Sequence, residues 1–251
     1  MILKKKKAFL SLVEVSLDDA EAISVMTQRK KYDHINIVSY NFLDHDNNFK
    51  LKKKQSARIV LGDDIDKLLA AFSDTCRKHI RRTFKIDNLY FKMMDSNFDK
   101  TYLAYCNFEL ANGRTPFSKS TLNKMLIFNA YYNNEIISSI LCYDTKPSLK
   151  AHTIFSKRLE IDNKDEYKII GYASKRLIYE ICKYGILNNY THFDLGSVNF
   201  DDESKRGINN FKLSFNPLVV EEYHYIYTSK RFILLNYINK IVKKILAIIG
   251  R

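Results

Sequence analysis

The chain has 251 residues, 46% of them apolar and 27% charged, enough for one large domain or two small ones with a substantial core. Glycine and proline number only 7 and 3, which argues against flexible linkers, collagen-like repeats and low-complexity segments. The net charge of +13 suits polyanionic partners (nucleic acid, anionic lipid or phosphorylated small molecules) or a lysine-rich solvated surface, and it is concentrated in Lys4–Lys7, Lys52–Lys54, Arg77–Arg82 and Lys230–Lys244.

In chain order, residues 8–16 are rich in β-formers, and Leu17 to Ser24 start a short helix. Residues 35–43 predict a strand, 44–54 a polar loop and 57–61 another strand. Asp63 or Asp64 then caps a helix whose apolar stripe is Ile65, Leu68, Leu69, Phe72, Cys76, Ile80 and Phe84. Its opposite face carries Arg77, Lys78, Arg81 and Arg82, either a grip for phosphates or simply a wet face. Residues 89–94 predict a strand, and 97–126 two helical stretches around Asn112–Pro116. The runs 126–132 and 136–143, separated by Asn133-Asn134-Glu135, predict a β-hairpin, and 150–158 a further strand.

The run from Asp165 to Phe215 organises the rest. Lys168-x-x-Gly171-x-Ala173 reads as a small-residue turn opening a helix over 173–185, whose apolar face is Leu177, Ile178, Ile181, Cys182 and Gly185. Free amides and a partial positive charge at such a helix start suit a diphosphate, with Lys168 adding countercharge, although an ordinary helix start has the same pattern. Strand 191–195 ends in Asp194-Leu-Gly-Ser197, and a polar turn leads to Phe211-Lys212. Asp194 reads as a base or amine-orienting group, or as a turn cap. His152 is a second candidate base, or a structural strand histidine. A last strand covers 218–227. From Arg231 the chain is helical, with Leu234, Ile238, Ile241, Ile245, Leu246 and Ile249 on one face and Lys230, Arg231, Lys240, Lys243, Lys244 and Arg251 supplying cations. Such a helix lies on an anionic membrane surface, or packs on the domain or a second subunit.

The four cysteines (Cys76, Cys106, Cys142, Cys182) lie far apart without metal-ligand spacing, so they read as reduced core residues and no metal is expected. No signal peptide and no apolar window of about 18 residues is present, which predicts a cytoplasmic chain, at most peripheral at the inner face of the membrane.

Here the sequence resembles the GNAT superfamily of N-acyltransferases. Lys168-x-x-Gly171-x-Ala173 is similar to its (Gln/Arg)xxGx(Gly/Ala) loop, and Asn209 with Phe211-x-x-x-Phe215 to its late Asn, Tyr/Phe, Gly-Phe element. The branch related to FemAB-type peptidoglycan aminoacyltransferases and surface-polysaccharide acyltransferases is closer still, through the basic helix Arg77–Arg82, the strand end Phe193–Ser197 and the segment Gly207–Phe215. The sequence departs from the pattern at Lys168, in place of Gln or Arg, and at Asn216, in place of Gly; the chain is also shorter than the two-domain enzymes and has no coiled-coil arm.

The resemblance, clearest over 57–228, implies an α/β (α+β) fold with a mixed, mostly antiparallel sheet flanked by helices. It suggests an acyltransferase domain over 1–229 followed by a basic amphipathic helix over 230–251. The implied donor is acetyl-CoA or another acyl-CoA, or alternatively aminoacyl-tRNA. The implied acceptor is a small amine, phosphorylated or nucleotide-linked, such as an amino-sugar nucleotide or glycan precursor of cell-surface polysaccharide, and a homodimer is compatible with it. Lys168, Gly171, Tyr172, Ala173, Asn209 and Phe211 would hold the donor, Arg77, Arg81 and Ser197 the acceptor, and Lys212, Asp194 and His152 would serve the reaction. A non-enzymatic basic module for nucleic acid or membrane is the remaining alternative, and it rests on charge alone.

Overall fold

The computed structural model describes residues 1–7 and 9–249. Arg251 therefore lies outside the described residues, as do the side chains of Lys240, Lys243, Lys244, Ile245, Leu246 and Ile249 assigned above to the two faces of the last helix. The chain divides into two units, Met1–Lys54 with Glu221–Arg251, and Gln55–Val220.

In the first unit, strands β1 (Ile2–Lys7), β2 (Leu10–Ser16) and β3 (His34–Ser39) run side by side. β1–β2 is antiparallel, β2–β3 is parallel, and β3 pairs antiparallel with β10 (Leu218–Thr228). Helix α1 (Asp19–Thr27), capped by Asp18, lies between β2 and β3 in sequence and packs on β3. Val13, Val15, Ile35, Ile37 and Tyr225 meet Val25 and Met26 of α1 in one core. The Lys4–Lys7 cluster thus forms an edge strand, where lysines discourage pairing with other chains. Helix α8 (Lys230–Ile249) follows β10.

The second unit holds strands in the order β4-β9-β8-β7-β6-β5, with β4 at Lys50–Val60, β5 at Leu89–Met93, β6 at Leu126–Tyr132, β7 at Glu135–Thr145, β8 at Ser148–Ser156 and β9 at His192–Val198. Every pair is antiparallel except β8–β9. The mixed, mostly antiparallel sheet flanked by helices is the fold class expected. The β6–β7 hairpin turns on Asn133 and Asn134 alone, both at positive φ (48° and 65°), the two-residue turn that matches strand twist. The polar stretch 44–54 is a loop only in its first half, because Lys50–Lys54 continue β4.

The helix expected over 65–84 is two helices, α2 (Ile65–Ala71) and α3 (Asp74–Thr83). Phe72, in extended backbone, ends the first, and Ser73 caps the second by accepting from the Cys76 amide at 3.3 Å. Helix α4 (Phe98–Ala111) and the short α5 (Lys119–Leu122) follow β5. Side chains alternate across β6 and β7. Phe128, Ala130 and Ile140 join the core under Leu177, Ile178 and Ile181, whereas Asn129 and Ser139 face the other way and bond to Thr101 of α4 and to each other.

The largest departure concerns the organising run. Lys168–Ala173 is not a turn: helix α6 runs unbroken from Lys164 to Leu187. The sequence signal for this start is Asn163, whose side-chain oxygen accepts from the amides of Asp165 (2.9 Å) and Glu166 (3.2 Å), followed by two carboxylates in the first turn. The segment Gly207–Phe215, which follows the polar turn and for which the sequence predicts no element, falls largely in helix α7 (Arg206–Leu213). Cys76, Cys142 and Cys182 are buried free thiols, while Cys106 is half-buried. Among the described residues no helix is long and apolar enough to cross a membrane.

Asn163→Ala should lower stability by about 0.5–2 kcal/mol in urea denaturation, as loss of an N-cap does. A helix starting at Ala173 would leave this substitution neutral.

Candidate functional site

Two clefts in the second unit share the wall formed by Phe108, Ile154 and Ile208. The smaller, about 460 Å³, sits where the sheet divides. The parallel pairing of β8 with β9 ends at Lys150–Asp194, although both strands continue. Beyond that rung, His152 and Thr153 line one side of the opening, and Leu195, Gly196 and Ser197 the other. β8 also bulges here: Thr153 and Ala151 face adjacent residues of β7, so His152 is the extra residue of the bulge.

The fork is held by a buried ion pair. Lys150 Nζ donates to Asp194 Oδ2 at 2.6 Å, and Asp194 Oδ1 accepts from Ser56 Oγ (2.6 Å) and the Gly196 amide (2.7 Å). Asp194 is fully buried and lines neither cleft, so its geometry is that of the turn cap and not of a base at the opening. Gly196 adopts φ +81°, a left-handed conformation that favours glycine. A Cβ there would also sit 3.6 Å from Lys212 Nζ. Lys212, buried on the last turn of α7, lines this cleft and donates to the Ser197 carbonyl at 2.8 Å. His152 lines it too, its ring 5.0 Å from that of Phe117 and 4.8 Å from that of Tyr143.

The larger cleft, about 680 Å³, runs along α6. Lys168, Gly171, Tyr172 and Lys175 recur at helical spacing on its wall, joined by His79 of α3, Arg158 and Phe211. Four lining side chains are basic or imidazole, and among the described residues no carboxylate lines it. Arg158 places its guanidinium over the Tyr167 ring at 4.0 Å and lies against α6 at Gly171, where a Cβ would make ordinary contact with its Cζ at 3.5 Å. His79 packs on Tyr172 with ring centroids 4.4 Å apart, and Arg82 donates to the Tyr172 hydroxyl at 2.9 Å. Burial lowers the Lys175 pKa, and Arg158 lowers it further. Burial also holds His79 below its ordinary 6.5, with Lys175, Arg82 and Arg158 adding to the effect. Such a wall attracts phosphate through side chains.

The expected diphosphate site at the front of a helix does not fit. Gly171 is mid-helix, and the true helix start is capped by Asn163 and carries Asp165 and Glu166. Of the residues assigned to the donor, Lys168, Gly171, Tyr172 and Phe211 line the larger cleft, with Lys168 also bonded to Asp165 at 2.9 Å. Ala173 is fully buried in the core. Asn209 ties the β9–α7 connection by donating to the Asn199 carbonyl at 2.6 Å. Ser197 reaches the smaller cleft. Arg77 instead bonds Asp74 and the Phe72 carbonyl at the α2–α3 junction, and Arg81 lines neither cleft. His79, Arg158, Lys175 and Lys150 were not singled out in the sequence. With α6 started at Asn163, the 168-171-172-175 spacing would have found Lys175. Among the described residues no group of three or more His, Cys, Asp or Glu side chains could hold a metal ion.

No family model matches the chain, and no curated protein matches it by sequence. Solved structures do share the fold. The C-terminal domain of a putative lysylphosphatidylglycerol synthetase from Agrobacterium fabrum is 14% identical, covering 96% of this chain and 85% of that one, with a TM-score of 0.56. FemX is 12% identical, covering 92% of this chain and 84% of its own, with a TM-score of 0.60. L-PGS from Bacillus licheniformis is 15% identical, covering 98% and 85%, with a TM-score of 0.51. At the level of fold, the resemblance to the FemAB-related branch read from the motifs is therefore met.

Lys150→Met should cost about 3–5 kcal/mol in urea denaturation by leaving Asp194 buried without its cation, and adding Asp194→Leu should recover part of the loss. By NMR, His79 should titrate below 6.5 and move upward in Lys175→Met. Because its folded pKa is depressed, the stability linked to His79 is present above pH 6.5 and lost as pH falls through the folded value.

Proposed function

We propose that this protein is an acyltransferase that moves an aminoacyl group from a phosphate-bearing carrier to the amine of a small glycan or peptidoglycan-type precursor. The observation that carries this reading is the juxtaposition of a forked strand pair, with an ammonium group at its floor, and an acid-free cationic cleft sharing one wall with it. The fork admits a flat carbonyl between His152–Thr153 and Gly196–Ser197. Lys212 meets the negative charge that develops on the carbonyl oxygen. The acceptor nitrogen attacks the carbonyl carbon; a C–N bond forms, the carrier's C–O bond breaks, and the proton lost by the amine passes to His152 or water while the carrier hydroxyl takes up a proton.

Between the two carriers implied by the sequence, aminoacyl-tRNA is favoured over acyl-CoA. The helix-start amides on which the coenzyme's diphosphate reading rested are bonded within α6, whereas Arg158, Lys175 and His79 can contact phosphates of any carrier. The likeness to the C-terminal domain of the putative lysylphosphatidylglycerol synthetase from Agrobacterium fabrum also supports an aminoacyl group.

The test is to offer the full chain a labelled aminoacyl-tRNA pool or labelled acetyl-CoA, with nucleotide-linked amino sugars and peptidoglycan-type precursors as acceptors. Amide product from aminoacyl-tRNA is expected, with kcat lowered about 10²–10³-fold in Lys212→Met. Transfer from acetyl-CoA to an amino-sugar nucleotide would instead establish the coenzyme reading, and transfer from neither would overturn the assignment.

A further inference from the structure

Helix α8 spans 20 residues, about 30 Å of helix, and its base is tied to β3 and the turn before it. The Ser229 amide donates to the Asp33 carbonyl at 2.8 Å, Ser229 Oγ donates to Asp33 Oδ1 at 3.0 Å, and Phe232 stacks on His34 with ring centroids 5.0 Å apart. Among the described side chains of α8 only Phe232 and Leu235 are partly covered. Ile233, Leu234, Tyr237, Ile238, Ile241 and Val242 are 40–63% exposed, and their spacing places them over one half of the helix circumference. Isolated helices are marginal in water and gain their stability from packing of an apolar face, so the exposed apolar face of the described side chains calls for an occupant.

The charges say which. Lys230 and Arg231 are exposed at the base of the helix, and Arg231 lies 4.6 Å over the ring of Phe9, itself 62% exposed. The sequence adds Lys240, Lys243, Lys244 and Arg251, and contains no Asp or Glu from Ser229 onward. Two copies of such a helix would oppose like charges with nothing acidic in the segment to offset them, whereas anionic headgroups neutralise the cations while acyl chains cover the apolar face. The helix is not apolar enough to cross a bilayer, so it would lie in the plane of the interface, with Tyr237 at headgroup depth.

We propose that α8, with Phe9 beside its base, docks on an anionic lipid surface. The assignment does not depend on the reaction proposed above. The chain has no tryptophan, so Tyr237→Trp gives a single reporter on the docking face. With vesicles containing about 30 mol% phosphatidylglycerol, the full chain should co-sediment, and the emission of the introduced indole should shift to the blue. Binding should fall at least about tenfold on pure phosphatidylcholine or in about 0.5 M salt. Ile238→Glu with Ile241→Glu, both exposed positions, should abolish vesicle binding without changing circular dichroism of the remainder. Three results would overturn the proposal: indifference to anionic vesicles at low salt, vesicle binding unaffected by the two glutamates, or a concentration-dependent dimer that those glutamates dissolve. Salt-sensitive tRNA binding that the two glutamates abolish, with no vesicle binding, would likewise assign the face to nucleic acid and sink the lipid assignment.

Discussion

The second unit depends on the ion pair between Lys150 and Asp194. Parallel strands β8 and β9 pair through three rungs and then part, and the last rung is the one where these two side chains meet. A carboxylate buried this deeply is tolerable only because an ammonium, a hydroxyl and a backbone amide surround it. The consequence is directional. Asp194 is enclosed away from the opening, but by accepting from the Gly196 amide it fixes the left-handed turn beside which Lys212 lies. The cation that faces the opening is thus positioned by a charge that does not face it.

The second constraint is the length of α6. A helix that began at Ala173 would aim free amides at a ligand; one that begins at Lys164 bonds those amides internally and offers side chains instead. In the proposed reading, phosphate meets Lys175, Arg158 and His79 instead, and burial and neighbouring cations push the lysine and the histidine toward lower proton affinity. A bound phosphate reverses that repulsion, so these groups couple ligand charge to protonation in a way helix amides would not. Gly171 belongs to this arrangement as the place where a guanidinium lies against the helix.

How much of this was legible beforehand follows from the range of each signal. The β6–β7 hairpin and a strand beginning near Thr191 were readable because Asn turns and β-rich runs are local, although β9 runs on through Asp194 to Val198 instead of ending there. The α6 start was also written locally, in Asn163-Lys-Asp-Glu, but the short Lys168–Ala173 pattern resembled a loop and masked it. The split at Phe72-Ser73 was hidden because the apolar stripe keeps its period through the break. Lys150 could not be paired with Asp194 from sequence, since only the parallel register brings residues so far apart into contact. Arg158 and His79 became cleft residues for the same reason: three separate elements converge on one wall.

The net charge, read globally, suited polyanionic partners of several kinds or a solvated surface. Its distribution is uneven. Six cations and no acid lie from Ser229 to Arg251, so nearly half of the +13 belongs to a segment of the first unit. The cleft along α6 draws on few charges, with Lys175 and His79 half-buried and Arg158 and Lys168 exposed, whereas the described cations of α8, Lys230 and Arg231, are solvated at the base of a helix with exposed isoleucines. Those are different electrostatic designs. A recessed cluster of cations without carboxylates discriminates for a small number of phosphate groups held at fixed positions. A solvated cationic helix with a wide apolar face rewards a surface that is both charged and oily, and charge alone does not satisfy it.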